Sequence, residues 1–161
     1  MADLRVTLPD KDVSWGVELL PTEAPEICAA VYDALPLETA LVHGKFSGEE
    51  VYAPVEEEAL LDLPKENLAH DVATGDVGYW YSHRDDGRFV RDRSEFGELV
   101  FVYGRRARLR MGADNPVAVD VIGQVSESVD AFTAAAARRQ YEGTTRLRVE
   151  RGASGLELPL E

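Results

Sequence analysis

Cysteine is almost absent. Cys28 is the single one in 161 residues, which excludes an internal disulfide and makes a reducing, cytoplasmic setting the expectation. Long apolar runs are missing too. The first twenty residues lack a basic start followed by an apolar core, so neither a secretory leader nor a membrane partner is expected. Basic charge is scarce: 17 Lys and Arg stand against 30 Asp and Glu, a formal net charge of −13 that opposes binding to a nucleic-acid backbone. No Gly-x-Ser-x-Gly elbow and no Gly-x-x-x-x-Gly-Lys-Ser/Thr loop occurs, so nucleophilic and nucleotide-phosphate motifs are lacking. His43, His70 and His83 have no partner at metal-ligand spacing, and neither a metal nor a cofactor is expected.

What is present suits one ordinary core. The chain is 45% hydrophobic and 29% charged, near the globular average, and its length fits a single domain over residues 1–152 followed by a loose tail, 153–161. Charge is uneven. Residues 1–83 carry four basic against seventeen acidic side chains, whereas residues 84–110 carry eight arginines against five acids. An Arg-rich middle beside an acidic first half can attract an anionic ligand, pair with a second copy of the chain, or simply be solvated.

Periodicity supplies the elements. Leu4, Val6 and Leu8 alternate, as do Val13, Trp15, Val17 and Leu19, which predicts a hairpin turning at 9–12. Ala24, Ile27, Cys28, Val31, Tyr32 and Leu35 recur at three and four, predicting a short amphipathic helix capped by Thr22, with Pro25 in its first turn and Pro36 as its stop. Strands are expected at 39–46, 51–55, 77–82, 99–103 and 117–124, separated by turn chemistry at 47–48, 86–87, 104 and 112–116. A second helix from Ser128 to Gln140 would bury Val129, Phe132, Ala136 and Gln140 and stop at Gly143, and a last strand would occupy 145–150. The acidic run at Glu56, Glu57 and Glu58 reads as a solvated loop. About eight strands, two helices and no βαβ alternation argue for an all-β-dominated antiparallel barrel or sandwich. A closed barrel would remove exposed edges, leaving two covering α-helices over its ends.

Several side chains could carry chemistry. Alternation puts Gly78, Trp80 and Ser82 on one strand face, so an indole stands among small neighbours, which suits either a ligand or close packing. Glu50 is a candidate acceptor for Trp and Tyr donors and, if buried, an acid or base with a raised pKa. His43, with Glu49 and Glu50 in the next segment, could share a proton with a carboxylate near neutral pH. Arg105, Arg106, Arg108 and Arg110 form the one dense basic cluster, able to grip an anion or a partner's acidic edge.

The segment from Gly16-Val17-Glu18-Leu19 through Leu20-Pro21-Thr22-Glu23-Ala24-Pro25-Glu26 resembles the entry to the first helix of the cyclophilin fold. Val121-Ile122-Gly123-Gln124-Val125, leading into a helix at Ser128, resembles the strand that feeds its second helix. Gly48-Glu49-Glu50-Val51-Tyr52, Gly75-Asp76-Val77-Gly78-Tyr79-Trp80 and Phe101-Val102-Tyr103-Gly104 are similar to motifs of small bacterial cyclophilin-like proteins of unknown function. This resemblance implies one closed cyclophilin-like antiparallel β-barrel over roughly residues 3–150, with a pocket and no settled activity. Prolyl isomerases of the fold carry Phe-His-Arg and Gln-Gly-Gly segments. This chain has Leu41-Val42-His43-Gly44-Lys45-Phe46 at the corresponding place, where Lys45 is a flexible point charge rather than a planar guanidinium.

The expected function is therefore binding of a small polar or anionic metabolite, with His43 and Glu50 as the acid/base candidates, Tyr52, Trp80 and Tyr103 as ligand-binding residues and Arg105 at the rim. The alternative is an enzyme: either a residual prolyl isomerase in which Lys45 or a middle-segment arginine replaces the missing guanidinium, or a small-molecule isomerase or lyase using His43 and Glu50. A homo-oligomer joined through Arg105 and Arg106 is the structural rival.

Overall fold

The computed structural model describes residues 1–82, 95–112 and 114–158. His83 and the expected turn at 86–87 lie outside the described residues. The strands are β1 (Leu4–Leu8), β2 (Val13–Leu19), β3 (Leu37–His43), β4 (Glu50–Val55), β5 (Leu68–Ala69), β6 (Asp76–Ser82), β7 (Phe96–Val102), β8 (Val119–Glu127) and β9 (Thr145–Arg151). Two helices, α1 (Pro25–Asp33) and α2 (Val129–Glu142), interrupt them.

Every ladder is antiparallel, in the order β2-β1-β9-β3-β4-β7-β6-β8, and pairing of β2 with β8 closes the sheet into an eight-stranded barrel. The two-residue β5 adds to β8 outside the ring. Inward positions along the strands are apolar and buried, among them Val6, Leu8, Val17, Leu41, Val51, Ala53, Val77, Tyr79, Leu99, Phe101, Leu147 and Val149. Trp15 meets Phe101 edge-on at 6.0 Å between ring centroids and Phe132 of α2 at 5.1 Å, so one aromatic cluster ties the barrel interior to its covering helix.

Some boundaries and caps differ from those the sequence suggests. β3 ends at His43, because Gly44–Ser47 turn away toward β4, and β8 runs on to Glu127. On α2 the buried set is Phe132, Ala135, Ala136 and Arg139, whereas Val129 is exposed and so is Gln140. Arg139 can be buried because Ala135 O and Gly143 O accept from its guanidinium and Glu142 pairs with it at 3.1 Å, so its charge and donors are met at the helix end. Thr22 does not cap α1. Ala24 occupies the cap position without a side-chain bond, and the Glu66 carboxylate, distant in sequence, accepts from the Glu26 and Ile27 N–H groups at 3.0 and 2.8 Å. Two orphan donors of the first turn are thereby met by a negative charge at the positive end of the helix dipole.

Past β9, Gly152 N–H donates to Asp3 O and Ser154 N–H to Ala2 O, while Leu156 and Leu158 pack half-buried on the core. Among the described residues no helix is long and apolar enough to cross a membrane. Removing the remote cap tests how α1 is held. Glu66→Ala should lower the free energy of urea unfolding by about 1–2 kcal/mol, the worth of a helix cap, whereas Lys65→Ala at the exposed neighbouring position should leave it unchanged.

Candidate functional site

Outward positions of β4, β6, β7 and β8 form a face that a loop covers. After β7 the chain runs back through residues 103–112 and 114–118. It folds a small hairpin in which Val117 N–H donates to Leu109 O, Met111 N–H to Asn115 O, and Arg110 pairs with Pro116. Leu109 packs with Val100 and Val119 in a second apolar cluster outside the barrel, to which Tyr52, Val72, Trp80 and Val117 add.

This loop is clamped to the β3–β4 turn. Ser47, itself buried, accepts from Arg110 N–H at 3.0 Å through its hydroxyl, and its carbonyl accepts from Arg108 N–H at 2.9 Å. Tyr103 N–H donates to Glu49 O, and Arg106 N–H to the Glu49 carboxylate at 3.1 Å. Gly48, at φ +73°, lies so close to this loop that a Cβ there would come within 2.5 Å of Arg106 O.

Between loop and sheet lies a narrow cleft of about 30 Å³, lined by Ser47, Glu50, Trp80, Glu98, Leu109 and Arg110 with neighbouring apolar side chains. That volume holds about one water, so the cleft receives a single functional group rather than a whole molecule. Trp80 stands against Phe96 edge-on at 5.6 Å, which fixes its ring at the wall.

Glu50 sets this cleft apart. Four carboxylates are buried among the described residues: Asp3, Glu50, Asp76 and Asp120. Asp3 accepts from Leu19 N–H, Asp76 from Ala73 N–H, and Asp120 from both Glu66 and Asn67 N–H groups. Glu50 is 4% exposed, and its carboxyl accepts from no described residue. Burial, and secondly the charge of Glu98, push its pKa up to about 8, so it carries its proton at neutral pH. Gly44 makes room for it, because a Cβ there would meet a Glu50 oxygen at 1.9 Å.

The six residues singled out from the sequence divide by strand parity. Glu50 and Trp80 line the cleft, and Tyr52 packs on the same outer cluster. His43 pairs with Val51, an inward position next to Glu50, and therefore belongs to the other face. Its Nδ1 lies 2.7 Å from Gly44 O and its Nε2 2.7 Å from the Tyr103 hydroxyl. A carbonyl only accepts, so a neutral His43 carries its proton on Nδ1 and accepts from Tyr103 through Nε2. Tyr103 is a core residue whose acidity is suppressed by burial and by the charges of Glu49 and Glu50. Arg105 is exposed on the loop and does not line the cleft; Arg110 does.

Sequence reasoning passed over Ser47, Glu98 and Leu109 as site residues and named Arg110 only as part of the basic cluster, with Arg105 at the rim. Glu98 left a trace, since it interrupts the otherwise apolar Phe96–Val102 strand at an outward position. Ser47 and Leu109 left none, because only the folded loop brings them there. Among the described residues no group of His, Cys, Asp or Glu is arranged to hold a metal ion.

A family described as "Protein of unknown function (DUF3830)" matches residues 6–150. The chain belongs to the DUF3830 family. No curated protein matches this DUF3830 chain. Among solved structures, McbB in complex with tryptophan is similar with a TM-score of 0.69 at 16% identity, over 97% of this chain and 48% of that one. The DUF3830 chain thus spans about half the length of McbB. The solution structure of the hypothetical protein AF2241 from Archaeoglobus fulgidus is similar with a TM-score of 0.56 at 24% identity, over 94% and 95% of the two chains. At such identities the likeness is one of fold.

Glu50 gives this DUF3830 barrel a defined pH response. An unfolded Glu ionises near 4.5, whereas the native carboxyl keeps its proton to about 8. Between those values the native state binds more protons than the unfolded state, so stability falls as pH rises through the window and levels off above it. At about 1.4 kcal/mol per pH unit, the loss reaches several kcal/mol. Urea unfolding at a series of pH values should show Glu50→Gln flattening this fall and exceeding the wild type in stability at alkaline pH.

Proposed function

We propose that this chain is a cyclophilin-like, single-domain binding protein that takes a small neutral polar molecule, with an amide or ureido group of the ligand entering the cleft beside Glu50 and Trp80. The observation that carries the reading is the buried Glu50 carboxyl, which faces the cleft without a hydrogen-bond partner among the described residues. The carboxyl lines the cleft without an internal partner, so a molecule there can complete its hydrogen bonds. Protonated, it offers one O–H donor and one carbonyl acceptor side by side, the complement of the C=O and N–H of an amide. A carboxylate ligand fits that end poorly, because Glu98 lines the same cleft and its charge already opposes ionisation of Glu50. An anionic end of the molecule would instead turn outward to Arg110, with Arg105 further along the loop.

The solved complex of McbB with tryptophan supports a small-molecule partner for a barrel of this kind. The lone buried Cys28 suits a reducing, cytoplasmic setting.

Catalysis is the second reading, favoured by the same carboxyl: a group whose pKa lies near 8 can give and take a proton near neutral pH, as a small-molecule isomerase or lyase requires. In that enzyme Glu50 handles the proton, and His43 acts only through Tyr103 on the opposite face of the strand. Residual prolyl isomerisation would draw its guanidinium from Arg110, since Lys45 is exposed and does not line the cleft.

A thermal-shift screen of amides, ureido compounds and carboxylates separates these possibilities. An amide or ureido compound should raise the melting temperature at pH 6.5 and lose affinity above pH 8, where Glu50 ionises. Glu50→Ala should abolish the response and Trp80→Ala should weaken binding about tenfold, the scale of one lost buried contact. Carboxylates binding best, or an amide hit unaffected by Glu50→Ala, defeats the reading. Turnover of a hit that Glu50→Gln removes would move the protein into the enzyme class.

A further inference from the structure

Charge is segregated along the barrel. At one end the β3–β4 turn is clamped to the loop that follows β7: Ser47 O accepts from Arg108 N–H at 2.9 Å, and the Glu49 carboxylate from Arg106 N–H at 3.1 Å. These bonds fix Lys45, Arg105, Arg106 and Arg108 on one exposed rim, and none of the four forms an ion pair among the described residues. Phe46, 50% exposed, rises from the same turn. Glu49 is the acid of this rim. Elsewhere at the same end Asp10 is matched with Arg146, and Glu142 with Lys11, Arg138 and Arg139, while Asp12 and Asp130 stand on the β1–β2 turn and the first turn of α2.

The other end is acidic. β4 carries the chain from Glu49 to Glu56, which sets Glu56, Glu57 and Glu58 about 20 Å from the arginine rim at the usual rise of a strand. α1 lies at this end too, because β3 begins just after it at Leu37 and runs antiparallel to β4. Glu23, Glu26 and Asp33 are exposed on α1 or just before it. None of these six carboxylates forms an ion pair among the described residues. Lys65 and Arg151 stand near them, and the connection 83–94 carries four arginines against three aspartates, which leaves the acidic excess in place.

One chain cannot bring its two ends together, since they lie at opposite ends of the same strand. A second copy can. We infer that the arginine rim of one chain docks on the acidic end of another, so that barrels associate head to tail. The net charge of −13 on each copy opposes approach at long range. At physiological salt, however, exposed charges are screened beyond about 8 Å, well short of the span between the two ends, so the facing surfaces decide the sign at contact. Arginine forks take carboxylates in pairs, and an exposed aromatic among arginines is the composition of protein contact surfaces. Single surface ion pairs contribute little, so the association is weak and depends on several acting together. The two docking surfaces differ, which makes the contact heterologous and lets it continue past a pair of chains. This surface does not depend on the function proposed for the Glu50 cleft.

Sedimentation velocity over a concentration series reaching the millimolar range reads the association. In about 0.15 M salt the average mass should rise with concentration past that of two chains. In about 1 M salt, where screening shortens to about 3 Å, it should fall to that of one chain. Arg105→Glu/Arg106→Glu and Glu56→Lys/Glu57→Lys should each weaken association at least tenfold, with circular dichroism confirming an intact barrel. The four substitutions together reverse both ends and keep the net charge at −13, so the quadruple variant should associate as the wild type does. Phe46→Ala should weaken association several-fold. A wild type that stays a single chain throughout overturns the inference, and so does association that both double variants retain. A mass that levels off at two chains, or a folded quadruple variant that stays monomeric, overturns it equally.

Discussion

Pairing of β2 with β8 is the contact on which the rest of the molecule depends. Gly16, Val17, Glu18 and Leu19 meet Glu127, Val125, Gln124 and Gly123 across that seam, with a register shift between Gly16 and Val17. The approach is close: a Cβ on Gly123 would come within 2.7 Å of Glu18 O. Closure removes both edges of what would otherwise be an open sheet, and it gives every strand an inside and an outside. Once that parity is set, Val51 must point inward and Glu50 outward. A one-residue slip would exchange them and put a carboxyl into the aromatic core.

The acid-rich composition gains a structural meaning from this arrangement. Asp3, Asp76 and Asp120 are buried with their oxygens on backbone N–H groups of loops and strand ends, and Glu66 serves the first turn of α1 in the same way. Part of the acidic excess thus supplies acceptors where the backbone leaves the ladder. Glu50 has the burial of these groups without their partners, and for that reason it stays protonated and becomes the chemical feature of the outer face.

Much of the architecture was legible in the chain. Alternation in Leu4–Leu8, Val13–Leu19 and Asp76–Ser82 marked strands whose faces fall as expected, and the three-and-four spacing of Ile27, Cys28, Val31 and Tyr32 marked the buried side of α1. The capping of α1 was not legible. Thr22 has a suitable side chain in a suitable place, but the loop carrying Glu66, itself held by Asp120, reaches the helix first. Arg139 was hidden for a related reason: a charged residue reads as exposed unless the carbonyls that will surround it are known. Of the site, Glu50 and Trp80 could be found because both stand out within their strands, whereas His43 drew attention by its chemistry and turned out to face Tyr103.

By itself the sequence determined what local periodicity can encode: which segments are strands or helices, which face of each is apolar, that no disulfide braces the fold, and that the strands form an antiparallel barrel or sandwich. Tertiary structure decided which outward side chains share a cleft. Ser47, Glu50, Trp80, Glu98 and Arg110 come from four separate parts of the chain and meet only because the loop carrying Leu109 and Arg110 folds back over β4, β6 and β7. It also decided the state of Glu50, since a proton is retained through desolvation and a neighbouring charge, and both are properties of surroundings rather than of residue type.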